Sequence, residues 1–208
     1  MKVIPAILEK SVLNLEKRMK LAKTLSNQVH IDIMDGNFVD NKTITIHELA
    51  HVKKKGSIII HLMAFTPDRY FEDIKETKAN KVIIHVESTK NMMNVIKKAK
   101  KYNFSLGLAI SPETKIEKIK KYARYFDEIL VMSVNPGFSG QKFRTEAYSK
   151  LINLRKLYPR KILSVDGGIN TETIKEAKSA GANIAYAASA IWKHSNVKKA
   201  YAELKKYA

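Results

Sequence analysis

Short apolar runs alternate with longer amphipathic stretches along the whole chain, and this alternation restricts the possible folds more than any other feature. Helical spacing appears between the runs, for example at Val12, Leu15, Met19 and Ala22. The alternation therefore predicts eight strand–helix units. The apolar runs are residues 3–8, 29–34, 58–63, 81–86, 105–110, 128–132, 161–165 and 183–187.

Strands that are separated by helices pair in parallel through right-handed crossovers. Eight such units predict a closed (β/α)8 barrel, which we expect to form one domain over residues 1–208. An open doubly wound sheet is the alternative, but no glycine-rich dinucleotide fingerprint follows the first strand. Ser88, Ser111 and Asn170 are predicted to cap the helices after the fourth, fifth and seventh strands.

The composition excludes several kinds of site and cellular context. The chain has no cysteine, so disulfides, thiolate zinc sites and cysteine nucleophiles are excluded, and any metal ion must be held by His, Asp or Glu. No apolar run approaches the roughly 20 residues of a membrane span. The apolar stretch at the amino terminus is too short for a secretory signal. We expect a cytoplasmic protein with no membrane partner.

Basic residues exceed acidic ones by 38 to 20, which gives a formal net charge of +18. Such a charge either binds nucleic acid or solvates the surface and attracts an anionic substrate. Many of the lysines lie in segments 97–101 and 118–121, where apolar residues recur at helical spacing. We therefore predict solvated helix faces and no specific nucleic-acid partner, with a basic nucleic-acid-binding barrel as the alternative.

Polar side chains collect at the ends of three predicted strands. His30 and Asp32 end the second, His61 the third and Asp166 the seventh. Two carboxylates buried together raise one pKa unless a cation compensates their charge. The group predicts one divalent metal ion such as Zn²⁺, Fe²⁺, Mn²⁺ or Co²⁺, with an internal hydrogen-bonded pair as the alternative for His30 and Asp32. His85 is interpreted as a packed core histidine, and a position beside the metal site is its alternative.

Three further loops, at residues 133–141, 167–168 and 188–189, follow the last three strands, and the first two are rich in glycine. Loops at this part of a barrel, with free backbone N–H groups, form the usual phosphate site of the fold. Ordinary tight turns are the alternative for any one of them. Because three such loops stand on neighbouring strands, they predict a phosphate site opposite the metal cluster.

These segments resemble the ribulose-phosphate 3-epimerase family over nearly the whole chain. The resemblance implies a (β/α)8 barrel, a homo-oligomer and a sugar-phosphate substrate, with inversion at C3 of D-ribulose 5-phosphate to D-xylulose 5-phosphate. It is carried by the motifs at residues 30–39, 61–63, 85–87, 131–141 and 165–169.

The resemblance also implies the role of each site residue. Asp32 is the base that removes the C3 proton, and Asp166 is the acid that returns a proton on the opposite face. Two carboxylates suit an inversion, because one base tends to return the proton to the face it came from. The implied metal ligands are His30, Asp32, His61 and Asp166. The implied substrate contacts are His61, Met34, Met63, Met132, Gly137, Phe138, Ser139, Gly140, Gly167, Gly168, Ala188 and Ser189.

Several positions depart from the family pattern. Ala6 stands where the family has a serine that faces the substrate, and Glu9 also replaces a serine. Asn37 and Asp40 stand where the family often has His and Pro. Ala188 replaces a common glycine but keeps its backbone N–H. These changes leave open an epimerase for another ketose phosphate, such as D-allulose 6-phosphate.

Two other interpretations remain beside the epimerase. Barrels of the orotidine-phosphate decarboxylase or hexulose-phosphate synthase type carry Asp-x-Lys-x-x-Asp after a strand. Here Met34 stands at the lysine position of that motif, which weakens this interpretation. A barrel without catalytic activity is the second, and it is raised by Ala6 and Glu9.

Overall fold

The computed structural model describes residues 1–53 and 56–208, and in it eight parallel strands close into a barrel in chain order, with β1 beside β8. Each strand begins and ends within one residue of its predicted run. The (β/α)8 prediction is confirmed, and the open sheet was the wrong alternative. The strands are β1 (Lys2–Ile7), β2 (Gln28–Met34), β3 (Ser57–Met63), β4 (Lys81–His85), β5 (Ser105–Ile110), β6 (Glu128–Met132), β7 (Ile162–Asp166) and β8 (Ile184–Ala187).

Helices follow most of the strands and pack outside the barrel, where their apolar faces join those of the strands in one large core cluster. Two of the connections also contain a single 3-10 turn ahead of the helix, at Pro67–Tyr70 and Val86–Ser88. The helices are α1 (Val12–Ala22), α2 (Ile46–His51), α3 (Phe71–Glu76), α4 (Met92–Ala99), α5 (Glu146–Leu157), α6 (Thr173–Ser179), α7 (Ser189–Trp192) and α8 (Val197–Tyr207).

Of the three predicted caps, Asn170 comes nearest to its prediction, because its Oδ1 accepts hydrogen bonds from the backbone N–H groups of Glu172 and Thr173 at 2.9 Å. The N-cap residue of α6 is nevertheless Glu172, which makes no side-chain capping bond. Ser88 does not cap α4. Its hydroxyl donates to the His85 carbonyl, and the side chain of Asn91 caps the helix instead.

The predicted fifth helix is wrong as well. Between β5 and β6, where every residue is described, the chain forms two 3-10 turns, Ile116–Ile119 and Ala123–Tyr125. The carbonyls of Ser111, Pro112 and Thr114 all accept hydrogen bonds from Lys150 of α5. The Ser111 carbonyl also accepts from the backbone N–H of Thr114, three residues on, which is the hydrogen bond of a tight turn rather than of an α-helix.

The lysines that were predicted to be solvated are exposed. The side chains in question are Lys97, Lys98, Lys100, Lys101, Lys118, Lys120 and Lys121. Within the described residues, no helix combines the length and the apolar content needed to cross a membrane.

A buried ionic network lies inside the barrel around Glu128, and it reaches the predicted site through Tyr186. Glu128 is fully buried at the start of β6, and Lys81 at the start of β4 donates to its carboxylate at 2.6 Å. The hydroxyls of Ser164 and Tyr186 donate to the other carboxylate oxygen at 2.5 and 2.7 Å. Three polar side chains therefore donate hydrogen bonds to the single carboxylate of Glu128.

Replacing Glu128 with alanine should lower the free energy of unfolding by about 3–5 kcal/mol, because the change leaves the largely buried Lys81 side chain without its carboxylate and the buried hydroxyls of Ser164 and Tyr186 without their acceptor. Urea unfolding of both proteins measures the difference. Glu72→Ala is the matched control, since Glu72 pairs with Lys75 on an exposed surface, and it should leave the midpoint unchanged. An equal effect of the two substitutions would contradict the prediction.

Candidate active site

Four side chains predicted as metal ligands meet at the carboxyl ends of β2, β3 and β7. His30 and Asp32 alternate on β2, so both point into the barrel, and Asp32 lies directly beside His61 of β3. His61 Nδ1 is 3.0 Å from Asp32 Oδ1 and 3.6 Å from Asp166 Oδ2. One donor atom from each of the four residues lies within 4.8 Å of the other three. The side chains expose 13% of their area at most.

Burial and mutual charge set the ionisation of this group. Burial raises the pKa of Asp166, and the neighbouring charge of Asp32 raises it further. Burial opposes the ionisation of Asp32 too, but the contacts with His30 and His61 outweigh it and hold the pKa of that carboxyl low. Burial lowers the pKa of His30 to about 3 against the attraction of Asp32. His30 is therefore a neutral ring with a lone pair at neutral pH.

The four residues fit a divalent metal ion. Both ring nitrogens of His30 are buried, and neither has a hydrogen-bond partner in the described part of the chain. The ring is stacked between Tyr186, at 4.1 Å, and His61, at 5.1 Å, which restricts its rotation. A buried polar atom without a partner costs about 1–3 kcal/mol, so a ligand that takes the lone pair is favoured. Two imidazoles and two carboxylates suit Zn²⁺, Fe²⁺, Mn²⁺ or Co²⁺.

A cavity opens beside the two carboxylates. Its lining includes Asp32, Asp166 and three methionines, one each from β2, β3 and β6. The family resemblance implies that these methionines contact the substrate, and the structure brings all three to the cavity. The methionines are Met34, Met63 and Met132.

The three loops predicted to bind phosphate line the same cavity. Gly167 has φ +106°, and a Cβ there would lie 2.4 Å from Val134 Cγ2. At Gly168, a Cβ would lie 2.5 Å from the backbone nitrogen of Phe143. Side chains are excluded at both positions because Val134 and Phe143 occupy the space, so this loop packs closely against the loop after β6. The loop residues in the wall include Gly137, Phe138, Ser139, Gly140, Gly167, Gly168, Ala188 and Ser189.

The structure accounts for several of the departures from the family pattern. Ala188 has a negative φ of −109°, so this position does not need the left-handed conformation that favours glycine. Glu9 pairs with Arg18 at 3.1 Å. Ala6 is buried in the cluster that fills the barrel, beside His30 of β2. Asn37 is exposed on the loop after β2.

Sequence reasoning missed several contacts around the site. His85 is fully buried, as predicted for a core histidine, but its Nε2 also lies 2.9 Å from Nε2 of His61. Glu87 contacts the other nitrogen of His85. Asn41 Nδ2 donates to the Gly137 carbonyl at 2.6 Å and joins the loop after β2 to the phosphate loops. The position of His85 beside the metal site was the alternative that the sequence offered, because His85 ends β4 at the same rim, two residues before Glu87.

Comparison with known proteins points to one family. A sequence model of the ribulose-phosphate 3 epimerase family matches residues 2–192. The chain is 34% identical over 197 residues to ribulose-phosphate 3-epimerase of Schizosaccharomyces pombe, covering 92% of this chain and 86% of that protein. It is 33% identical over 212 residues to ribulose-phosphate 3-epimerase of Bacillus subtilis, covering 98% of each. The solved 3-hexulose-6-phosphate synthase of Salmonella typhimurium superposes with a TM-score of 0.75 at 14% identity, covering 100% of this chain and 98% of that one, which shows a common fold.

Proposed function

This chain belongs to the ribulose-phosphate 3-epimerase family, and we propose that it interconverts D-ribulose 5-phosphate and D-xylulose 5-phosphate by inversion at C3. One observation carries the proposal. Asp32 and Asp166, from β2 and β7, line one cavity together with residues of the three predicted phosphate loops. A bound phosphate would direct the carbon chain of a short sugar toward the carboxylates.

The two carboxylates divide the proton transfer between them. Asp32 removes the C3 proton of D-ribulose 5-phosphate, and Asp166 delivers a proton to the opposite face of the planar enediolate. In the reverse reaction the roles are exchanged. Carboxylates from strands on different sides of the barrel reach the substrate from different directions, as inversion requires.

His30, Asp32, His61 and Asp166 would together hold one divalent ion. When bound, such an ion stabilises the negative charge that develops on oxygen as the proton leaves carbon. Met34, Met63 and Met132 would pack against the flat enediolate and keep water from the reacting carbon.

Lys193 supplies a cation at the phosphate end of the cavity. A Cβ built on Gly140 would lie 2.9 Å from Lys193 Nζ, so the ammonium group stands against the phosphate loop after β6. Lys193 lies one turn after Ser189, which lines the cavity. We propose that its charge supports phosphate binding beside the backbone N–H groups.

Replacing Lys193 with methionine should raise KM for D-ribulose 5-phosphate roughly threefold to tenfold with little change in kcat, because the phosphate is bound equally in ground and transition states. Initial rates at varied substrate concentration test this. Lys198→Met removes an exposed lysine of α8 and serves as the control. A loss confined to kcat, or equal effects of the two variants, would argue against the contact.

The test of the function is solvent deuterium incorporation at C3, followed by NMR in D₂O with and without an added divalent metal. Metal-dependent exchange with formation of D-xylulose 5-phosphate supports the proposal. D-allulose 6-phosphate is assayed in parallel, because Ala6 lacks the family's hydroxyl and favours this second candidate. Turnover of D-allulose 6-phosphate alone would reassign the substrate, and no exchange with either would indicate a barrel without catalytic activity.

Two earlier expectations, a homo-oligomer from the family resemblance and a cytoplasmic location from the composition, are carried forward as proposals. We propose that the chain forms a homo-oligomer and that it acts in the cytoplasm. Light scattering of the purified protein tests the first, and a monomer at working concentration would contradict it. Fractionation of the source cells tests the second.

A further inference from the structure

His61 has a hydrogen-bonding neighbour at each of its two ring nitrogens. Nδ1 faces the carboxylates of Asp32 and Asp166, where a metal ion would bind. Nε2 lies 2.9 Å from Nε2 of His85, and both rings are fully buried. In a contact between two ring nitrogens, one must donate a proton and the other must accept it. The protonation of His61 therefore depends on the state of His85.

Glu87 determines which of the two histidines donates the proton in this contact. His85 Nδ1 lies 3.3 Å from Glu87 Oε2. Burial opposes the ionisation of Glu87, but hydrogen bonds from His85 and Thr114 help to lower its pKa to about 2, so it is a carboxylate that can only accept. His85 Nδ1 thus carries the proton, and His85 Nε2 is left as the acceptor. His61 Nε2 must then donate, so Nδ1, which contacts Asp32 Oδ1 at 3.0 Å in the metal-free protein, is the nitrogen of His61 whose proton a metal ion can replace.

The loop after β5 holds Glu87 in this position. Glu87 Oε1 accepts hydrogen bonds from the backbone N–H of Ser111, at 2.9 Å, and from the hydroxyl of Thr114. Lys150 of α5 fixes that loop by donating to the carbonyls of Ser111, Pro112 and Thr114 at 2.6–2.9 Å. Because Oε1 is engaged by two donors, Oε2 is directed toward His85.

We propose that Glu87 is a positioning residue which acts through His85 to fix the tautomer of His61 and so to present His61 Nδ1 to the metal ion. Groups that hold the second nitrogen of a metal-binding histidine are known to orient the ring and to select its tautomer. This inference rests on the metal site of the proposed function. Beyond the four proposed metal ligands, it assigns a role to His85 and Glu87, which would not touch the ion, and to the loop after β5, which lies two strands away from His61.

The substitution Glu87→Gln tests the relay with minimal change of shape. The glutamine carbonyl has to stay with Ser111 and Thr114, because the amide NH₂ would otherwise meet the backbone N–H of Ser111. The NH₂ group then faces His85 Nδ1, which must become an acceptor. His85 Nε2 becomes a donor, His61 Nε2 an acceptor, and the ring proton of neutral His61 moves to Nδ1, where it blocks the ion.

Two measurements on the full chain test this predicted change of tautomer. The first is the dissociation constant for Co²⁺ alone, followed by visible absorption, which should rise about 10- to 100-fold in Glu87→Gln. The second is the ¹⁵N spectrum of the histidine rings in metal-free protein, which should show the proton of His85 on Nδ1 in the parent and on Nε2 in the variant. Glu72→Gln makes the same chemical change on an exposed helix and should match the parent in both.

A folded Glu87→Gln variant with the Co²⁺ affinity and the His85 tautomer of the parent would overturn the proposal. If circular dichroism shows that this variant does not fold, His85→Phe replaces it. That change removes the acceptor for His61 Nε2 and should weaken Co²⁺ binding, and parent-like affinity would again overturn the proposal. A parent protein that binds no Co²⁺ would instead refute the metal site of the proposed function, while the tautomer of His85 still decides the relay.

Discussion

Replacing Asp166 with asparagine should abolish conversion of D-ribulose 5-phosphate to D-xylulose 5-phosphate while leaving exchange of the C3 hydrogen of D-ribulose 5-phosphate with solvent. Asp32 remains in place on β2 and still removes and returns a proton on its own face. Delivery to the other face needs a proton from residue 166, which an amide does not supply. Losing one positioned acid or base costs about 10²–10⁴-fold in rate, so we expect epimerisation to fall by at least that much.

Asp32→Asn should give the converse result. Epimerisation should be lost, while the C3 hydrogen of D-xylulose 5-phosphate should still exchange with solvent. Both variants are assayed at saturating metal, with metal content measured, because both residues are proposed ligands. Asp127→Asn makes the same change at an exposed residue just before β6 and should keep full activity. If either variant retained full turnover, or if both variants exchanged the same epimer, the division of roles between the carboxylates would be wrong.

The barrel and the position of the site were predictable because both depend on local patterns. Each strand is a short apolar run, and the run lengths agree with the observed strands to within one residue. In a closed parallel barrel all strands end at the same rim, so residues on β2, β3 and β7 meet there although they are far apart in sequence. The group of His30, Asp32, His61 and Asp166 follows from this topology without any knowledge of side-chain contacts.

Contacts that join one unit to another were not predictable in this way. Where a fifth helix was predicted, Lys150 of α5 instead donates to three carbonyls of the loop after β5, a contact between distant parts of the chain. The role of Glu87 depends on the same loop, since Ser111 and Thr114 orient its carboxylate. In the sequence, Ser111 before a proline resembles a helix cap. Only the three-dimensional structure shows that its backbone N–H donates to Glu87.

Binding of a divalent ion should raise the melting temperature of the metal-free protein substantially. A ligand present at 100 times its dissociation constant stabilises the native state by about 2.7 kcal/mol. For a chain of this size each kcal/mol shifts the melting temperature by roughly 2–4 °C, so Zn²⁺ at that concentration should add about 5–11 °C. The source of the gain is local, because the ion takes the free lone pair of His30 and offsets the repulsion of Asp32 and Asp166.

Two histidine substitutions identify where the ion binds. His30→Gln removes a buried ligand and should abolish most of the shift with Zn²⁺ in a thermal melt. His47 and His51 stand one helical turn apart on the exposed face of α2, where a pair of imidazoles can also bind an ion. His47→Gln should therefore leave the shift unchanged if the ion binds inside the barrel. A shift that survives His30→Gln and disappears in His47→Gln would place the ion on α2, and activity that persists after complete removal of metal by a chelator would refute its part in the reaction.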